Sequence, residues 1–243
     1  MDSYNQRRLS DWHITNDNMS GLQADSIRKE IGLKQILNDV FISCKAGQIT
    51  GLLGRNGSGK STLLKIIFGA SDASNKYVAI DGTKLNSLFA GRNFIHYLPQ
   101  GNFLPDHLRL KSIISCFCSK KNAPLILEHD FIRPFLQKKI NQLSGGEKRI
   151  VEVLLMVYSD ASYLLFDEPF NGISPLHIEI IKELIKKHSA DKGFIITDHS
   201  YEHILDIATV VVLLDEGNTK VIKERKQLIE FGYLPDSVHQ KSL

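Results

Sequence analysis

A glycine-rich segment, Gly54–Ser61, fits the phosphate-binding pattern G-x-x-x-x-G-K-[ST] and is called the phosphate loop below. It lies between an apolar run, Gln48–Leu53, and a segment with helical spacing, Ser61–Phe68, as the pattern requires. Its glycines let the backbone curl, so that several N–H groups converge on a β-phosphate at the positive end of the following helix. Lys60 would bring a charge to the β- and γ-phosphates, and Ser61 a hydroxyl to Mg²⁺. The segment predicts a triphosphate site; the alternative is a glycine-rich turn with an incidental lysine.

Two adjacent carboxylates follow a second apolar segment. Tyr163–Phe166 has the composition of a buried strand, and Asp167 and Glu168 come directly after it. In a sheet that carries a phosphate loop, the strand beside the loop presents an acid to the water shell of Mg²⁺, and we assign this role to Asp167. Glu168 would then turn out of the sheet and polarise a water for in-line attack on a phosphate.

Another strand has the same local pattern. Val210–Leu214 is followed by Asp215-Glu216, but Gly217-Asn218 comes next and is typical of a hairpin turn. A proline, Pro169, instead closes the strand that ends in Asp167. We therefore place the reactive carboxylates on that earlier strand.

A helix start and a pair of histidines complete the candidates. In Leu143–Glu147, Ser144 fits an S-x-x-E capping box, which alone indicates only where a helix begins. An exposed, glycine-flanked helix N-terminus is also an anion site, so both interpretations are compatible. His199 and His203 have the spacing of metal ligands on a helix, but the sequence suggests no third ligand, and we do not favour a metal site there.

The elements that must position these residues alternate between strands and helices. This alternation favours a parallel sheet covered by helices on both faces. Phe103–Gln142 interrupts it with short mixed segments and three prolines, so we predict a helical insert at about residues 101–158. Further predicted strands are Leu22–Arg28, Gln35–Ser43, Tyr77–Ile80, Ile95–Leu98 and Phe194–Thr197, and predicted helices are Glu147–Tyr158, Leu176–His188 and Tyr201–Ile207.

Composition excludes several classes of protein. Hydrophobic residues are 42% and charged residues 23% of the 243, which is typical of a globular chain and excludes disordered, collagen-like and disulfide-scaffold proteins. The net charge of +3 is too small to indicate nucleic acid or an anionic membrane surface as partner. Three cysteines without a C-x-x-C pattern fit a reducing compartment. Residues 1–20 are predicted to be a loose polar tail with no secretory signal, and no apolar run approaches the ~18 residues of a membrane span.

Taken in order, the motifs resemble the nucleotide-binding subunit of ATP-binding cassette (ABC) transporters over about residues 22–235. Leu143–Glu147 resembles the family signature, which other P-loop proteins lack. The stretches GEKRIVEVLL, LLFDEPFNGISP and IITDHS are also similar to the subgroup of lipopolysaccharide-export and branched-chain amino-acid cassettes. The resemblance implies an α/β fold over residues 21–243: a P-loop NTPase core with a mostly parallel sheet, an antiparallel β subdomain and a small helical subdomain.

The resemblance also implies a role for each motif. The phosphate loop corresponds to Walker A and Leu164–Asp167 to Walker B, and Glu168 resembles the catalytic glutamate. Gln100 stands where the family has its Q-loop glutamine, and His199 where it has its switch histidine. Glu168, Gln100 and His199 are the expected catalytic residues. The expected Mg²⁺ ligands are Ser61, Gln100 and Asp167. The residues expected to bind ATP are Gly54, Arg55, Asn56, Gly57, Ser58, Gly59, Lys60, Ser61, Thr62, Ser144, Gly145 and Gly146.

As a member of this family, the chain would hydrolyse ATP to power a membrane transporter. The active unit would be a two-fold dimer of two copies, with each ATP between Walker A of one copy and Ser144 and Gly146 of the other. An integral membrane subunit would contact the helical insert; Phe103, Leu104 and Pro105 are candidates for that groove, with ordinary packing as the alternative. The expected location is cytoplasmic, peripheral on the inner face of the cell membrane, and no nucleic acid is expected.

Three departures from the family pattern affect these expectations. The place of the aromatic residue that stacks on adenine falls near Ile31, and Ile27–Leu33 contains no aromatic residue. Ser174 stands where the loop after Walker B commonly has an aspartate. After the signature, Leu154–Val157 replaces the usual Ala-Arg-Ala-Leu, so we expect this helix to lack a polar link.

Two other functions stay open on the sequence. One is a soluble ABC ATPase that remodels a protein or nucleic-acid complex, which the absence of a fused membrane domain allows. The other is a nucleotide-binding regulator without hydrolysis, which Ser174 and the missing aromatic suggest. Against the second function stands the complete set of expected site residues: Lys60, Asp167, Glu168, Gln100 and His199.

Overall fold

The computed structural model describes residues 20–87, 91 and 93–235. Apart from Ser20, the predicted tail lies outside the described residues, as does the chain from residue 236. The strands are β1 (Leu22–Ile31), β2 (Lys34–Cys44), β3 (Ile49–Leu53), β4 (Asn75–Ile80), β5 (Thr83–Lys84), β6 (Ile95–Leu98), β7 (Tyr163–Asp167), β8 (Gly193–Thr197), β9 (Val210–Asp215) and β10 (Asn218–Ile222). The helices are α1 (Lys60–Phe68), α2 (Leu110–Phe117), α3 (Ala123–Leu127), α4 (Gly145–Val157), α5 (Pro175–His188), α6 (Tyr201–Ile207) and α7 (Arg225–Glu230).

The strands form two sheets. A six-stranded sheet has the order β10-β9-β3-β8-β7-β6, and all its neighbours pair parallel except the β9–β10 hairpin. A four-stranded sheet has the order β2-β1-β4-β5 and is antiparallel. Helices α2, α3 and α4 lie in the segment between β6 and β7. The predicted α/β fold, with a mostly parallel sheet, an antiparallel subdomain and a helical subdomain, is confirmed.

Parallel pairing brings the carboxyl ends of β3, β7 and β8 to one edge of the six-stranded sheet. Strand β8 lies between β3 and β7, so the prediction that the carboxylate strand is beside the loop strand is wrong. The carboxylates still reach the loop because α1 begins at this edge, directly after the loop.

Each face of the six-stranded sheet has its own apolar core. One core joins α1 to the antiparallel sheet, and Leu63 and Leu64 are fully buried in it. The other core packs α4 and α5 on the opposite face, where Leu154 and Ile181 are fully buried. The sheet edge at which β3, β7 and β8 end is therefore supported by packing on both faces of the sheet. Across the described ranges, every helix is too short or too polar to cross a lipid bilayer.

Some element bounds differ from the sequence-based expectations. Helix α4 begins at Gly145, two residues before the predicted start, because Ser144 Oγ accepts from the Glu147 N–H and makes Ser144 the N-cap. Strand β10 and helix α7 were not predicted, since their sequences are polar. Strand β10 forms by antiparallel pairing with β9, where Val221 is opposite Val212.

Candidate active site

The phosphate loop connects β3 to α1, and two of its glycines, Gly54 and Gly59, leave no room for a larger residue. Gly59 has φ +105° at the start of α1, and a Cβ there would lie 2.9 Å from Ile36 and 3.0 Å from Leu37. A Cβ on Gly54 would lie 2.6 Å from the Leu214 carbonyl. Within the described part of the chain, no side chain caps the N-terminus of α1. The first amides of this helix are therefore available to an anion.

Lys60 folds back over this loop. Its Nζ donates to the Gly54 carbonyl at 2.7 Å and to the Arg55 carbonyl at 3.2 Å, and the residue is 7% exposed. Burial lowers the pKa of the Lys60 ammonium, and the charges of Glu168 and Asp167 oppose this shift. The ammonium is thus partly desolvated and has two carboxylates nearby. A phosphate could replace the two carbonyls that it contacts.

Asp167 is held at both carboxylate oxygens. Ser61 Oγ donates to Oδ1 at 2.9 Å, and the Tyr97 hydroxyl donates to Oδ2 at 2.8 Å. Burial and the charge of Asp167 raise the pKa of the Tyr97 phenol, so Tyr97 stays a hydrogen-bond donor. Tyr97 was not predicted as a site residue. Its position three residues before Gln100, at the end of β6, is the signal that could have indicated it.

Glu168 turns out of the sheet in the left-handed region, with φ +53°. Its Oε2 accepts from Gln100 Nε2 at 2.6 Å and from Asn171 Nδ2 at 3.2 Å, and its Oε1 lies 2.8 Å from His199 Nε2. The other ring nitrogen of His199 is 2.9 Å from Asn56 Oδ1 in the phosphate loop. The structure therefore brings the three expected catalytic residues into contact. Gln100 contacts Glu168 here and makes no hydrogen bond to Asp167 among the described residues.

An open cavity of about 470 Å³ lies over these groups. Ile31 and Ile36 line one part of it, and Ile31 is 59% exposed. The position that the family resemblance assigns to the adenine-stacking residue is therefore an aliphatic wall of the same cavity. The other lining residues are Asn56, Gly57, Gly59, Lys60, Ser61, Thr62, Gln100, Glu168 and His199.

The family signature lies outside this cavity. Ser144 and Gly145 are exposed at the start of α4, and neither they nor Gly146 are among the described residues that line the cavity. Gly146 packs closely beneath the first turn of α5, since a Cβ there would lie 2.8 Å from His177 Nδ1. The hydrogen bond from the Ser144 N–H lowers the pKa of the Glu147 carboxyl that completes the capping box.

Helix α4 also carries a buried ion pair, Arg149 and Glu152, which bonds to the main chain next to the site. Arg149 donates to main-chain carbonyls at the ends of β6 and β7, and Glu152 accepts from the Phe103 N–H at 2.9 Å. The expectation that this helix lacks a polar link is wrong. Leu155 is buried and apolar as the sequence shows, but Arg149, in the second turn of the helix, makes the link.

The second carboxylate pair and the histidine pair, which the sequence offered as alternatives, can now be located in the fold. Asp215 pairs with Lys220 at 3.1 Å, and residues 216–217 turn the chain from β9 into β10, so this carboxylate pair belongs to a hairpin. His203 packs its ring against Phe170 at 5.5 Å between centroids. Among the described residues, no three His, Cys, Asp or Glu side chains form a group that could hold a metal ion.

Comparisons with known proteins identify the family of this chain. A family model described as "ABC transporter" matches residues 37–171, more than half of the chain. The lipopolysaccharide export system ATP-binding protein LptB of Escherichia coli (strain K12) is 30% identical over 215 residues, which are 82% of this chain and 89% of that protein. The cholesterol transporter ABCA5 of Mus musculus is 28% identical over 217 residues, 84% of this chain but 13% of that much longer protein. A solved ATP-binding subunit of an ABC transporter superimposes with a TM-score of 0.77 at 22% identity, covering 88% of this chain and 94% of its own.

The fold and the phosphate loop together define a P-loop NTPase of the ATP-binding-cassette class. The chain belongs to the ABC transporter family. It is an ATP-binding subunit with ATPase activity that powers a membrane transporter, and its resemblance to the lipopolysaccharide-export cassettes is confirmed.

Proposed function

We propose that two copies of this chain close on two ATP molecules and so drive an integral membrane subunit at the cytoplasmic face of the cell membrane. Each ATP lies between the phosphate loop of one copy and Ser144 and Gly146 of the other. Two observations support this arrangement: the cavity is open, and the exposed signature lies outside it. A two-fold dimer gives two equivalent sites, and loss of the γ-phosphate removes what joins the halves.

The phosphate groups of ATP bind to the amides of the phosphate loop and to Lys60, which then leaves the carbonyls of Gly54 and Arg55. The oxygen-rich set of Ser61, Asp167 and Gln100 fits Mg²⁺, because hard oxygen ligands suit this ion and Ser61 Oγ already lies 2.9 Å from Asp167 Oδ1. Mg²⁺ would supply positive charge to the β- and γ-phosphate oxygens.

Glu168 is the group that orients and polarises the attacking water. The observation that carries this proposal is the set of three donors on one buried carboxylate: Gln100, Asn171 and His199 all contact Glu168, which is 5% exposed at the cavity. They hold the carboxylate toward the place of the γ-phosphate, and pre-positioned groups of this kind lower the barrier to attack. His199 also contacts the phosphate loop through Asn56, which supports a role for His199 in sensing the γ-phosphate.

The test is phosphate release from ATP by the purified chain with Mg²⁺, together with capture of partners from detergent-solubilised membranes of the source cells. We expect ATP-dependent phosphate release that stops when the metal is chelated, and co-purification of an integral membrane protein. No release of phosphate at any ATP concentration would overturn the ATPase assignment. Capture of soluble or nucleic-acid complexes without a membrane protein would favour a remodelling ATPase instead.

A further inference from the structure

Arg149 is a buried cation beside the active site, and no sequence motif predicted its role there. It is 3% exposed in the second turn of α4, beneath the ends of β6 and β7. Its Nη2 donates to the carbonyls of Asp167 and Glu168, both at 2.9 Å, and its Nη1 donates to the Pro99 carbonyl at 2.8 Å. Arginine suits this place because its planar donors can satisfy several fixed carbonyls at once.

The two carbonyls that share Nη2 belong to the peptide groups on either side of the Glu168 Cα. Fixing both peptide planes fixes the φ and ψ angles of Glu168. This residue has φ +53°, a conformation that residues other than glycine rarely adopt and that persists only where the surroundings impose it. The Glu168 N–H donates to the Thr197 carbonyl at 2.8 Å, which holds the same peptide from the β8 side.

Helix α4 also holds the segment that carries Gln100. Arg149 contacts the carbonyl of Pro99, directly before Gln100, and Glu152 accepts from the N–H of Phe103, three residues after it. Arg149 and Glu152 also pair with each other at 3.3 Å, and the Glu152 side chain is fully buried. Both ends of the segment that carries Gln100 are therefore bonded to α4.

From this geometry we infer that Arg149 is a positioning residue for ATP hydrolysis, which sets the main chain of Glu168 and Gln100 and makes both follow the movement of α4. This inference rests on the proposed roles of Glu168 and Gln100. Helix α4 begins at the signature residues Ser144 and Gly145, so a displacement of the signature also moves Arg149. Arg149 transmits this displacement to Gln100 and Glu168, whose side chains contact each other at 2.6 Å.

Two variants separate positioning from stability. Arg149→Met keeps the length and the burial of the side chain but removes its donors, and it leaves Glu152 buried without a counter-charge, so we expect a lower melting temperature. The double variant with Arg149→Met and Glu152→Gln removes both charges and keeps an acceptor for the Phe103 N–H. We expect it to regain the part of the melting temperature that the unpaired charge cost, while the carbonyls left without a donor keep it below the parent.

The kinetic test compares these variants with the parent protein. We expect kcat of the double variant to stay about 10²-fold below that of the parent, because a small misplacement of a catalytic group costs this much, while its Kd for ATP stays within about twofold. A double variant with the kcat of the parent would overturn the inference, since Arg149 would then be only structural.

A measurement without nucleotide distinguishes failure of this inference from failure of the proposed function. In the free protein, the Phe170 N–H donates to Asp198 at 3.1 Å and the Asn171 N–H to the Glu168 carbonyl at 3.3 Å. We expect these two amides to exchange with deuterium faster in the double variant, whereas the amide of Leu63, bonded to Gly59, keeps its parent rate. Unchanged exchange at Phe170 and Asn171 would overturn the inference, and a parent protein without ATPase activity would count only against the proposed function.

Discussion

Gln100 Nε2 lies 2.6 Å from Glu168 Oε2, so the side chain expected to contact the metal and the side chain expected to orient water are bonded to each other. Gln100 would have to leave this carboxylate in order to reach Asp167. The same movement would leave Asn171 as the donor to Oε2 of Glu168 and open a place on that oxygen for water. The contact would therefore couple arrival of Mg²⁺ and ATP to loss of the Gln100 donor from the Glu168 carboxylate.

Glu168→Gln should abolish phosphate release while ATP still binds and the dimer still forms. The amide cannot accept a proton from water, whereas the phosphate loop and Asp167 remain, and loss of a general base typically costs 10²–10⁴-fold in rate. Glu216→Gln is the matched control, because Glu216 follows the same local pattern at the end of β9 but lies in a hairpin turn. Parent-like turnover by Glu168→Gln, measured with a phosphate-release assay, would show that Glu168 is misassigned.

Lys60→Ala should weaken ATP binding by about tenfold or more, because hydrogen bonds to a charged group contribute about 1.5–3 kcal/mol. Lys65→Ala is the control, since Lys65 lies on the same helix but is exposed. Titration with a fluorescent ATP analogue measures both. Equal affinities for the two variants would contradict the role of the phosphate loop.

Gly146→Ala should be less stable than Gly145→Ala by about 1–3 kcal/mol, because both variants gain the helix propensity of alanine and Gly146 alone of the two lies in a packed site. The new Cβ would lie 2.8 Å from His177 Nδ1. At Gly145 a Cβ meets nothing within 4 Å, so Gly145→Ala should keep or raise the melting temperature. Adding His177→Ala to Gly146→Ala should restore stability; equal melting temperatures for the two glycine variants would contradict the close packing of α4 and α5.

Ile31→Tyr should tighten ATP binding about two- to tenfold, because stacking of an aromatic ring adds about 0.5–1.5 kcal/mol to an apolar contact. Ile31 lines the cavity, whereas the neighbouring Leu33 is fully exposed and does not line it, so Leu33→Tyr is the control. Calorimetric titration with ATP measures the two affinities. A gain of the same size in both variants would mean that the base does not lie against Ile31.

The free energy of unfolding should fall as the pH drops through about 6.5. Burial, with the nearby charges of Lys187 and Lys192, lowers the pKa of His188, whose ring packs edge-on against Tyr158 at 4.8 Å. A base whose pKa is lowered by folding binds fewer protons in the folded state, so its neutral form contributes fully above the ordinary value of 6.5 and the contribution is lost below it. Urea unfolding between pH 5.5 and 8 measures the slope.

In His188→Gln this dependence on pH should be shallower than in the parent. His107→Gln is the control, because His107 is exposed. Burial also lowers the pKa of His129, whose ring packs against Tyr158 as well, so part of the slope should remain in the His188 variant. Identical slopes in the parent and in His188→Gln would contradict this account.

Local patterns were enough to predict the phosphate loop, the strand that ends in Asp167 and the capping box at Ser144, because each depends on residues close together in the chain. The same locality explains why β10 and α7 were missed: their polar sequences become regular only through pairing with β9 and burial of Leu228. It also explains the error at Arg149, since a sequence shows a cation on a helix but not the carbonyls that it meets.

The amino-acid sequence determines that a triphosphate can bind after β3, since glycines, a lysine and a helix start suffice for this within eight residues. The folded chain decides which acid serves that loop. Ser61 and Asp167 are 106 positions apart and meet only because α1 starts at the sheet edge where β7 ends, although β8 lies between β3 and β7. Hydrogen bonds over such separations depend on strand order, which local propensities and spacing do not encode.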